Sequence, residues 1–212
     1  MAKGSSVQAL YELCKKTFSP PAAASAPATA AAIQKISAFL GREHIMNIGI
    51  FCLPTSSIIP LHDHPGMTVL SKVLYGSLHV KSYDWVEPPC LAQSGGPDNF
   101  PVKLAKLHMD TVMEAPCPTT VLYPRTGGNL HCFTAVASCA VLDVLAPPYS
   151  EAAGRFCTYY HDYPYSTFTS ERSNIVNEED EYSWLEAIDA PYIHMRSGRY
   201  TGPAVQVFDS MP

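Results

Sequence analysis

Two histidines stand one residue apart in an apolar stretch of the chain, at His62 and His64 in the segment IPLHDHPGMTVL. Because side chains alternate along an extended strand, both imidazoles would project to one side while Asp63 points to the other. Burying two imidazoles on one face costs desolvation energy unless something binds both of them. The pair therefore indicates either a metal site or a pair of surface or hydrogen-bonded histidines.

A third histidine lies far along the chain, in the segment YPRTGGNLHCFTA. His131 follows a glycine-rich turn and enters an apolar strand pattern. A strand that brought this imidazole beside the first two would supply the further ligand that a metal site needs. Imidazole binds iron, zinc, copper and nickel, so the ligand type alone does not select the ion.

The two segments together carry a specific resemblance. PLHDHPGMTVLSKVLYGSLHVKSYDW and YPRTGGNLHCFTA resemble the two metal-binding motifs of the cupin superfamily and, within it, the thiol dioxygenases called plant cysteine oxidases, relatives of animal cysteamine dioxygenase. The similarity continues through AVLDVLAPPYS, GRFCTYYHDYP and YSWLEA, and it covers the chain from about residue 33 to residue 203.

The resemblance implies three metal ligands, His62, His64 and His131, around one Fe(II) ion. Many cupins have a glutamate four or five residues beyond the second histidine, where this chain has Thr68 and Val69. Three neutral ligands on one face of an octahedral ion leave the remaining positions open for a thiolate, its amine and dioxygen. They also leave the full charge of the ion available to lower the pKa of a bound thiol.

The resemblance also implies a reaction and its partners. Dioxygen would convert the N-terminal cysteine of a peptide or protein to a sulfinic acid, a product that thiol reductants do not reverse. The family's substrates are ethylene-response-type transcription factors, whose oxidation feeds an oxygen-sensing N-degron pathway. Two alternatives remain open: a dioxygenase of small-molecule thiols, and a metal-binding cupin without redox turnover, such as an isomerase or a binding module.

Two further residues are candidates for catalytic roles. Asp143 is a lone carboxylate in the apolar run VLDVL, and a buried charge requires a partner. The resemblance implies that it lies near the iron and orients a ligand or receives the substrate's amine, with a structural hydrogen bond to a loop as the alternative. Tyr149 resembles an active-site tyrosine that could donate a hydrogen bond to bound oxygen or substrate, with ordinary packing as the alternative.

Other residues carry weaker signals. Cys157 and Tyr159 match positions of a thioether crosslink in animal relatives, but a buried free thiol is the favoured interpretation. The remaining histidines lack a second histidine at a similar spacing, and we expect them to be surface or hydrogen-bonded residues. They are His44, His79, His108, His161 and His194.

Composition limits the classes of protein that fit. The chain of 212 residues is 47% hydrophobic and 16% charged, which predicts a compact domain with a sizeable core. A net charge of -5 argues against a nucleic-acid surface, which needs excess lysine and arginine. The sequence shows no signal peptide and no apolar run of membrane-spanning length, so no membrane partner is expected. Seven cysteines without a CxxC pair favour reduced thiols, and we expect a monomer in the cytoplasm and nucleus.

The elements that must position these residues follow an all-β pattern. Between residues 45 and 145, short runs rich in Val, Ile, Leu, Phe, Tyr and Thr are broken by proline and glycine pairs. Such spacing suggests a sandwich or barrel, and the resemblance implies the cupin double-stranded β-helix, or jelly roll. The predicted strands are 47–53, 67–75, 77–85, 102–113, 119–123, 131–137 and 138–143.

Short helical additions are predicted at both ends of a single domain that spans residues 1–212. Residues 1–44 are expected to form two helices, the second beginning near Thr29, joined by a Pro/Ala linker at 20–28. Residues 45–212 form the jelly roll with a C-terminal elaboration. There the acidic run 178–181 precedes Trp184, Leu185 and Ile188, a pattern that suits a helix N-terminus, with an acidic binding tail as the alternative.

Overall fold

The computed structural model describes residues 8–10, 12–13, 46–92, 97, 100–168, 179–198 and 201–202. Within these ranges the chain is almost entirely β-structure. The strands are β1 (Asn47–Leu53), β2 (Ile58–His62), β3 (Thr68–Tyr75), β4 (Ser77–Trp85), β5 (Val102–Glu114), β6 (Thr120–Leu122), β7 (Leu130–Ala135), β8 (Cys139–Ala146), β9 (Tyr159–Pro164) and β10 (Tyr182–Ile188). Three single-turn 3-10 helices lie at Glu151–Ala153, Tyr165–Thr167 and Glu179–Glu181.

The strands form two antiparallel sheets. One sheet has four strands in the order β1-β8-β3-β6, and the other is a closed ring in the order β10-β5-β4-β7-β2-β9. In the ring β4 pairs with β5 and β9 with β10, which are consecutive strands, but the other neighbours in both sheets are far apart in sequence, as β1 and β8 are. This architecture confirms the predicted all-β jelly roll.

A hydrophobic core fills the space between the sheets. It takes Val73 and Val141 from the four-stranded sheet and Leu78, Val80 and Phe133 from the ring. On β7, alternate side chains serve different cores, because Phe133 faces the other sheet while Leu130 faces the inside of the ring. His131 lies two residues before Phe133, so the pleat directs its imidazole into the space between the sheets.

The predicted helix around Trp184 is wrong, because Tyr182–Ile188 is strand β10. It pairs with β5 on one side and β9 on the other, and this pairing closes the ring. Trp184, Leu185 and Glu186 are consecutive and all buried, which a strand covered on both faces requires. Such a continuous run is not distinguished from a buried helix by periodicity alone. The acidic residues before it form one 3-10 turn and not the start of a longer helix.

Most other predicted strands are confirmed, and two strands were missed. The predictions for 47–53 and 77–85 coincide with β1 and β4. The missed strands are β2, which carries His62, and β9, which lies beside it in the ring. β2 contains Pro60, and the residue pattern of β9 is dominated by aromatic and charged side chains, so neither has a clear apolar alternation.

The N-terminal extension is described only in part. Gln8, Leu10 and Leu13 are helical, in agreement with the first predicted helix, and the Gln8 amide donates a hydrogen bond to Glu12 at 2.9 Å. The linker at 20–28, the second predicted helix and His44 lie outside the described residues. In the part that is described, six cysteines are free thiols, and no helix combines the length and hydropathy needed to cross a bilayer.

Candidate metal centre

The three predicted ligands meet at one end of β2. His62 is the last residue of this strand, and it lies directly opposite His131 in the antiparallel pairing of β2 with β7. His64 follows two residues later, where the chain turns away from the sheet. The ring centroids are 4.9 Å apart for His62 and His64, and 4.8 Å from each of these to His131. One nitrogen of each ring lies within 4.8 Å of the others, so a single ion could contact all three.

Hydrogen bonds to protein groups orient each imidazole ring. His62 uses Nδ1 to contact the carbonyl of Pro60 at 2.8 Å, and His131 bonds to the backbone of Gly128. His64 uses Nδ1 to contact the hydroxyl of Tyr149 at 2.9 Å. Metal-ligating histidines characteristically use the second ring nitrogen in this way, because it fixes the ring and its tautomer.

One buried nitrogen is left for a ligand that is not a protein group. His64 Nε2 is inaccessible to solvent and has no hydrogen-bond partner among the described residues. An unpaired buried polar atom is costly, and a metal ion would satisfy it. No carboxylate joins the three imidazoles within the ranges that the structure describes. The site therefore fits a cation held by three neutral donors.

Burial keeps the three imidazoles neutral. It lowers the pKa of His62, lowers the pKa of His64 to about 3, and lowers the pKa of His131 well below its usual value. The other histidines of the group lower the pKa values of His64 and His131 further, because neighbouring imidazoles disfavour a second positive charge. Histidine binds metal in its neutral form, so the rings need lose no proton to bind at neutral pH.

Asp143 lies on the inner face of β8, opposite Ser71 of β3. It is 5% exposed, and it accepts a hydrogen bond from the Ser71 hydroxyl. Its Oδ1 is buried and has no hydrogen-bond partner in the described part of the chain. Burial raises the pKa of this carboxyl to about 6. This hydrogen bond comes from a strand and not from a loop, as the predicted alternative had it, and it accounts for one carboxylate oxygen only. The predicted role of Asp143 at the metal stays a prediction.

The decisive comparison is a family match that covers most of the chain. The PCO_ADO family profile matches residues 12–205. The chain belongs to the PCO_ADO family. This membership confirms the family resemblance predicted from the two histidine segments.

Curated relatives of this PCO_ADO chain are thiol-oxidising enzymes by name. It is 49% identical over 166 residues to plant cysteine oxidase 2 of Arabidopsis thaliana, which covers 77% of this chain and 58% of that protein. Plant cysteine oxidase 1 of the same species is 48% identical over 166 residues, which covers 76% and 55%. Mouse 2-aminoethanethiol dioxygenase is 34% identical over 125 residues, which covers 54% and 49%. The chain spans a little more than half the length of the plant relatives.

Solved structures are more distant. Oxalate oxidase in complex with glycolate aligns with a TM-score of 0.31 and 21% identity, over 49% of this chain and 42% of that one. Cellulomonas parahominis L-ribose isomerase with L-psicose aligns with a TM-score of 0.38 and 18% identity, over 66% and 65%. The fold of this PCO_ADO chain is therefore assigned from its own strand pairing.

Tyr149 contacts the metal centre through His64. Its hydroxyl donates to the backbone carbonyl of Asp63 at 2.6 Å and lies 2.9 Å from His64 Nδ1. Because a hydroxyl has one proton, this arrangement makes Tyr149 the acceptor of the His64 Nδ1 proton. The tyrosine thus holds His64 in the tautomer that directs Nε2 towards an ion. Its predicted role as a donor to oxygen or substrate stays a prediction.

Removing the Tyr149 hydroxyl should weaken metal binding. In Tyr149→Phe, His64 loses the acceptor that fixes its tautomer, and losses of this kind typically cost about 10–100-fold in metal affinity. We expect a decrease of about tenfold in a titration of the protein against a competing metal chelator. Tyr75→Phe, at a residue 54% exposed, is the matched control. Unchanged affinity in Tyr149→Phe would contradict the positioning role.

Cys157 and Tyr159 lie beside the centre, but the thiol is free. Tyr159 is opposite His62 in the pairing of β2 with β9, and their rings are 6.1 Å apart. The Cys157 thiol forms hydrogen bonds with Tyr149 and Tyr159, and burial raises its pKa. A thiol held in this way is a weak nucleophile. Cys157 is partly buried, whereas the favoured interpretation expected a buried thiol, and the crosslink stays untested.

Asn129 was missed by the sequence analysis, and it joins the two histidine segments. Its Oδ1 accepts from the backbone N–H of His64 at 3.1 Å, and its Nδ2 donates to the His64 carbonyl at 2.9 Å. Nδ2 also donates to the Tyr123 carbonyl at 2.8 Å. Because Asn129 lies two residues before His131, it fixes the spacing between two ligands that are distant in sequence. The sequence signal that could have indicated Asn129 is its position directly after the glycine pair of the turn.

Asp84 holds the turn that leads to His131. Its carboxylate accepts hydrogen bonds from the backbone N–H groups of Gly127, Gly128 and Asn129, at 2.9–3.1 Å. Gly128 has a φ of +82°, and a Cβ there would lie 2.5 Å from the Ser82 hydroxyl. The turn therefore needs glycine for both its conformation and its close packing. No local pattern marked Asp84, since its partners lie more than forty residues away.

Asp63 points away from the imidazoles, as predicted from strand alternation. Its carboxylate accepts from the Thr158 backbone N–H at 2.9 Å and from the Tyr160 hydroxyl at 3.0 Å. Its own N–H donates to the Thr158 carbonyl at 3.1 Å. These bonds tie the start of β9 to the ligand segment, so Asp63 fixes where Tyr159 stands relative to His62.

The other described histidines lie outside the centre, as predicted. His79 is hydrogen-bonded to Asp110 at 2.6 Å, and His108 lies 3.6 Å from Asp84. His161 and His194 are exposed, and the ring of His161 contacts Tyr163.

Proposed function

We propose that this PCO_ADO protein is an Fe(II)-dependent dioxygenase that oxidises an N-terminal cysteine to cysteine sulfinic acid. The observation that carries the proposal is the set of three buried, neutral imidazoles that no described carboxylate completes. Plant relatives 48–49% identical to this chain are named cysteine oxidases, and this supports cysteine as the substrate.

His62, His64 and His131 would hold the ion on one face. Bound Fe(II) would supply the redox chemistry that allows dioxygen to react with a thiolate, chemistry that zinc lacks. Iron is our choice on chemical grounds, because imidazole accepts several ions. The protein's contribution is to keep the three rings neutral, oriented and screened from water.

The reaction balances without a further oxidant or reductant. A thiol and dioxygen give a sulfinic acid: the S–H and O–O bonds break, two S–O bonds form, and both oxygen atoms remain on sulfur. The sulfur loses four electrons and dioxygen gains them. The thiol proton is released to solvent when the sulfinic acid ionises. We assign to Asp143 the positioning of the substrate's amine, because its Oδ1 is buried and has no described partner.

The wider role follows from the family resemblance. We propose that the substrates are ethylene-response-type transcription factors and that their oxidation feeds an oxygen-sensing N-degron pathway. Such a substrate would enter end-on, with its first residue at the ion. We further propose a monomer that acts in the cytoplasm and nucleus.

The test is mass spectrometry of a short peptide that begins with cysteine. Iron-loaded full chain under air should add two oxygen atoms, about 32 mass units, and the same mixture under nitrogen should add none. Zinc-loaded protein is the control for a cupin without redox turnover. Free cysteine and 2-aminoethanethiol in parallel reactions test the small-thiol alternative. Absence of a mass gain under air would remove the proposed function.

Asp143→Asn should separate metal binding from catalysis. The amide can still accept the Ser71 hydrogen bond, so we expect iron to be retained. It cannot carry the charge that would hold the amine, so the rate on the peptide should fall by about 10–100-fold, as for other groups that position a substrate. Peptide kinetics measure the rate, and metal analysis measures the iron content. A normal rate would return Asp143 to a structural role.

The same variant should change how stability depends on pH in metal-free protein. The unfolded chain releases this proton near pH 4, whereas the folded protein holds it until about 6. The contribution of Asp143 to stability should therefore fall as pH rises from about 4 to 6 and then level off, which is opposite in sign to the contributions of the three buried imidazoles. Asp143→Asn lacks this loss, so its free energy of unfolding relative to wild type should rise by roughly 2–3 kcal/mol between pH 4 and pH 8. Urea unfolding at these two pH values measures the change, with exposed Asp110→Asn as control.

A further inference from the structure

The start of β9 is held beside the metal ligands by few backbone contacts. Within the described part of the chain, β2 meets β9 at one residue pair, His62 with Tyr159. Asp63 and Thr158 lie just beyond this pair and continue the contact. The Asp63 N–H donates to the Thr158 carbonyl at 3.1 Å, and the Thr158 N–H donates to Asp63 Oδ1 at 2.9 Å. A carboxylate oxygen thus occupies the place that a backbone carbonyl has in an ordinary antiparallel pair.

The second carboxylate oxygen of Asp63 also bonds to β9. Its Oδ2 accepts from the Tyr160 hydroxyl at 3.0 Å, so each oxygen has a donor from the first residues of this strand or from the residue before it. The main chain of residue 63 makes separate bonds, because its carbonyl accepts from the Tyr149 hydroxyl at 2.6 Å. Truncating the side chain would therefore remove two bonds to the β9 side and leave the main-chain bonds in place.

The segment that Asp63 holds faces the metal centre. Side chains alternate along an extended segment, so Cys157 and Tyr159 project together, opposite to Thr158. The ring of Tyr159 lies 6.1 Å from the ring of His62, and the Cys157 thiol is hydrogen-bonded to Tyr149 and Tyr159. Residues 157–159 thus form a wall beside the three imidazoles, the Cys157–Tyr159 wall.

We propose that Asp63 is a positioning residue for the substrate's thiol, because the two hydrogen bonds of its carboxylate set the distance between the Cys157–Tyr159 wall and the ligand histidines. The inference rests on the proposed function. Asp63 would control how a thiol reaches the ion and would contribute little to the affinity for the ion. The role depends on hydrogen bonding and not on charge. An asparagine could accept from the Thr158 N–H and donate to the Tyr160 oxygen.

Cobalt(II)-loaded full chain under nitrogen gives a readout that does not need turnover. A short peptide that begins with cysteine would be titrated into it, and the thiolate-to-cobalt absorption band would report binding of the thiol to the ion. Asp63→Ala should require about tenfold more peptide than wild type, because misplacement by about 1 Å can cost up to about 100-fold. Equal titrations of the two proteins would overturn the proposal.

Metal affinity must be measured in the same variant. The hydrogen bonds that orient the three imidazoles do not involve the Asp63 carboxylate. Competition with a chelator should therefore show a change in cobalt affinity of less than about threefold, below the 10–100-fold loss typical of a group that orients a ligand. A tenfold loss of cobalt affinity would make Asp63 a support of the ligands and overturn its role at the thiol.

Two milder variants divide the effect. Asp63→Asn should titrate within about twofold of wild type, because the amide can serve both partners. Tyr160→Phe removes one of the two bonds and should give a smaller loss than Asp63→Ala. If Asp63→Ala does not fold, Tyr160→Phe decides, and a wild-type titration in that variant would overturn the proposal. A tenfold loss in Asp63→Asn would show that charge is required and would overturn the hydrogen-bonding role.

The matched control is Asp162→Ala on the same strand. The Asp162 carboxylate also ties β9 to the ring, since it accepts from the Lys81 ammonium and from the Tyr83 hydroxyl, each at 3.0 Å. It lies three residues beyond Tyr159, so its loss should lower the melting temperature and leave the peptide titration unchanged. An equal loss of thiol binding in Asp162→Ala would show a general destabilisation of β9 and overturn the specific role of Asp63.

The outcomes separate this inference from the proposed function. With iron under air, kcat/KM for the peptide should fall about tenfold in Asp63→Ala at wild-type iron content. A wild-type protein that gives the cobalt band but oxidises no peptide contradicts the proposed function, and the titrations still decide the role of Asp63. A wild-type protein that gives no thiolate band overturns this inference, whatever the oxidation assay shows.

Discussion

His131→Ala is expected to abolish both metal retention and peptide oxidation. The variant removes one of three donors, and the two remaining imidazoles come from one short segment that cannot enclose an ion. The binding free energy of a metal at a structural zinc site is about 10–16 kcal/mol. If the three donors here contribute equally to a binding free energy of that size, loss of one should weaken binding by roughly 10³-fold. Metal analysis after gel filtration and the peptide assay would measure the two losses.

The control for this variant is His161→Ala. His161 is an exposed histidine on β9, a strand of the same ring, and it contacts Tyr163 and not an imidazole of the centre. It should retain metal and activity. Because His131 is buried and stacked on Phe133, circular dichroism and melting must accompany the measurement. A folded His131→Ala protein with normal iron content and turnover would remove His131 from the metal site.

Asp84→Ala is expected to damage the metal centre without touching a ligand. Three backbone N–H groups of the turn before His131 would lose a charged acceptor. Hydrogen bonds to charged groups contribute about 1.5–3 kcal/mol each, but water can reach part of this site, so a total loss of about 2–4 kcal/mol is expected. Metal affinity should fall by about 10–100-fold, because the turn sets the position of His131.

Asp110→Ala provides the comparison for Asp84. It removes an exposed aspartate from β5 whose partner, His79, lies outside the metal centre, so it should leave metal affinity unchanged. Chemical unfolding and chelator competition on both variants would give the two quantities. If Asp84→Ala unfolds at the wild-type denaturant concentration and binds metal with wild-type affinity, the turn does not depend on this carboxylate.

The ligands were predictable because their signals are local. Alternation along a strand was enough to place His62 and His64 on one side and Asp63 on the other, and the structure confirms that placement. The glycine-rich turn marked where His131 begins its strand. The register between β2 and β7 then brings the imidazoles together, because His62 lies opposite His131 in this pairing. This register cannot be predicted from either segment alone.

The features that were missed depend on long-range pairing. Asp84 matters because β4 lies beside β7, and Asn129 matters because His64 lies beside the turn. Asp84 had no local signal, and the glycine pair beside Asn129 marked a turn but not its contact with His64. β10 was misassigned for a related reason. Its consecutive buried residues Trp184 and Leu185 carry no alternation, because the strand is paired on both sides and covered on both faces. The rings of Tyr165 and Phe168 contact Trp184, and Leu185 lies in the core inside the ring.

The place of β2 in the ring bears on the stability of the metal-free protein. β2 pairs with β7 and meets β9 at His62, which lies opposite Tyr159, so the ring closes at a residue of the metal centre. An ion bound to His62 and His131 would brace the point at which the ring closes, and its removal should loosen that closure first.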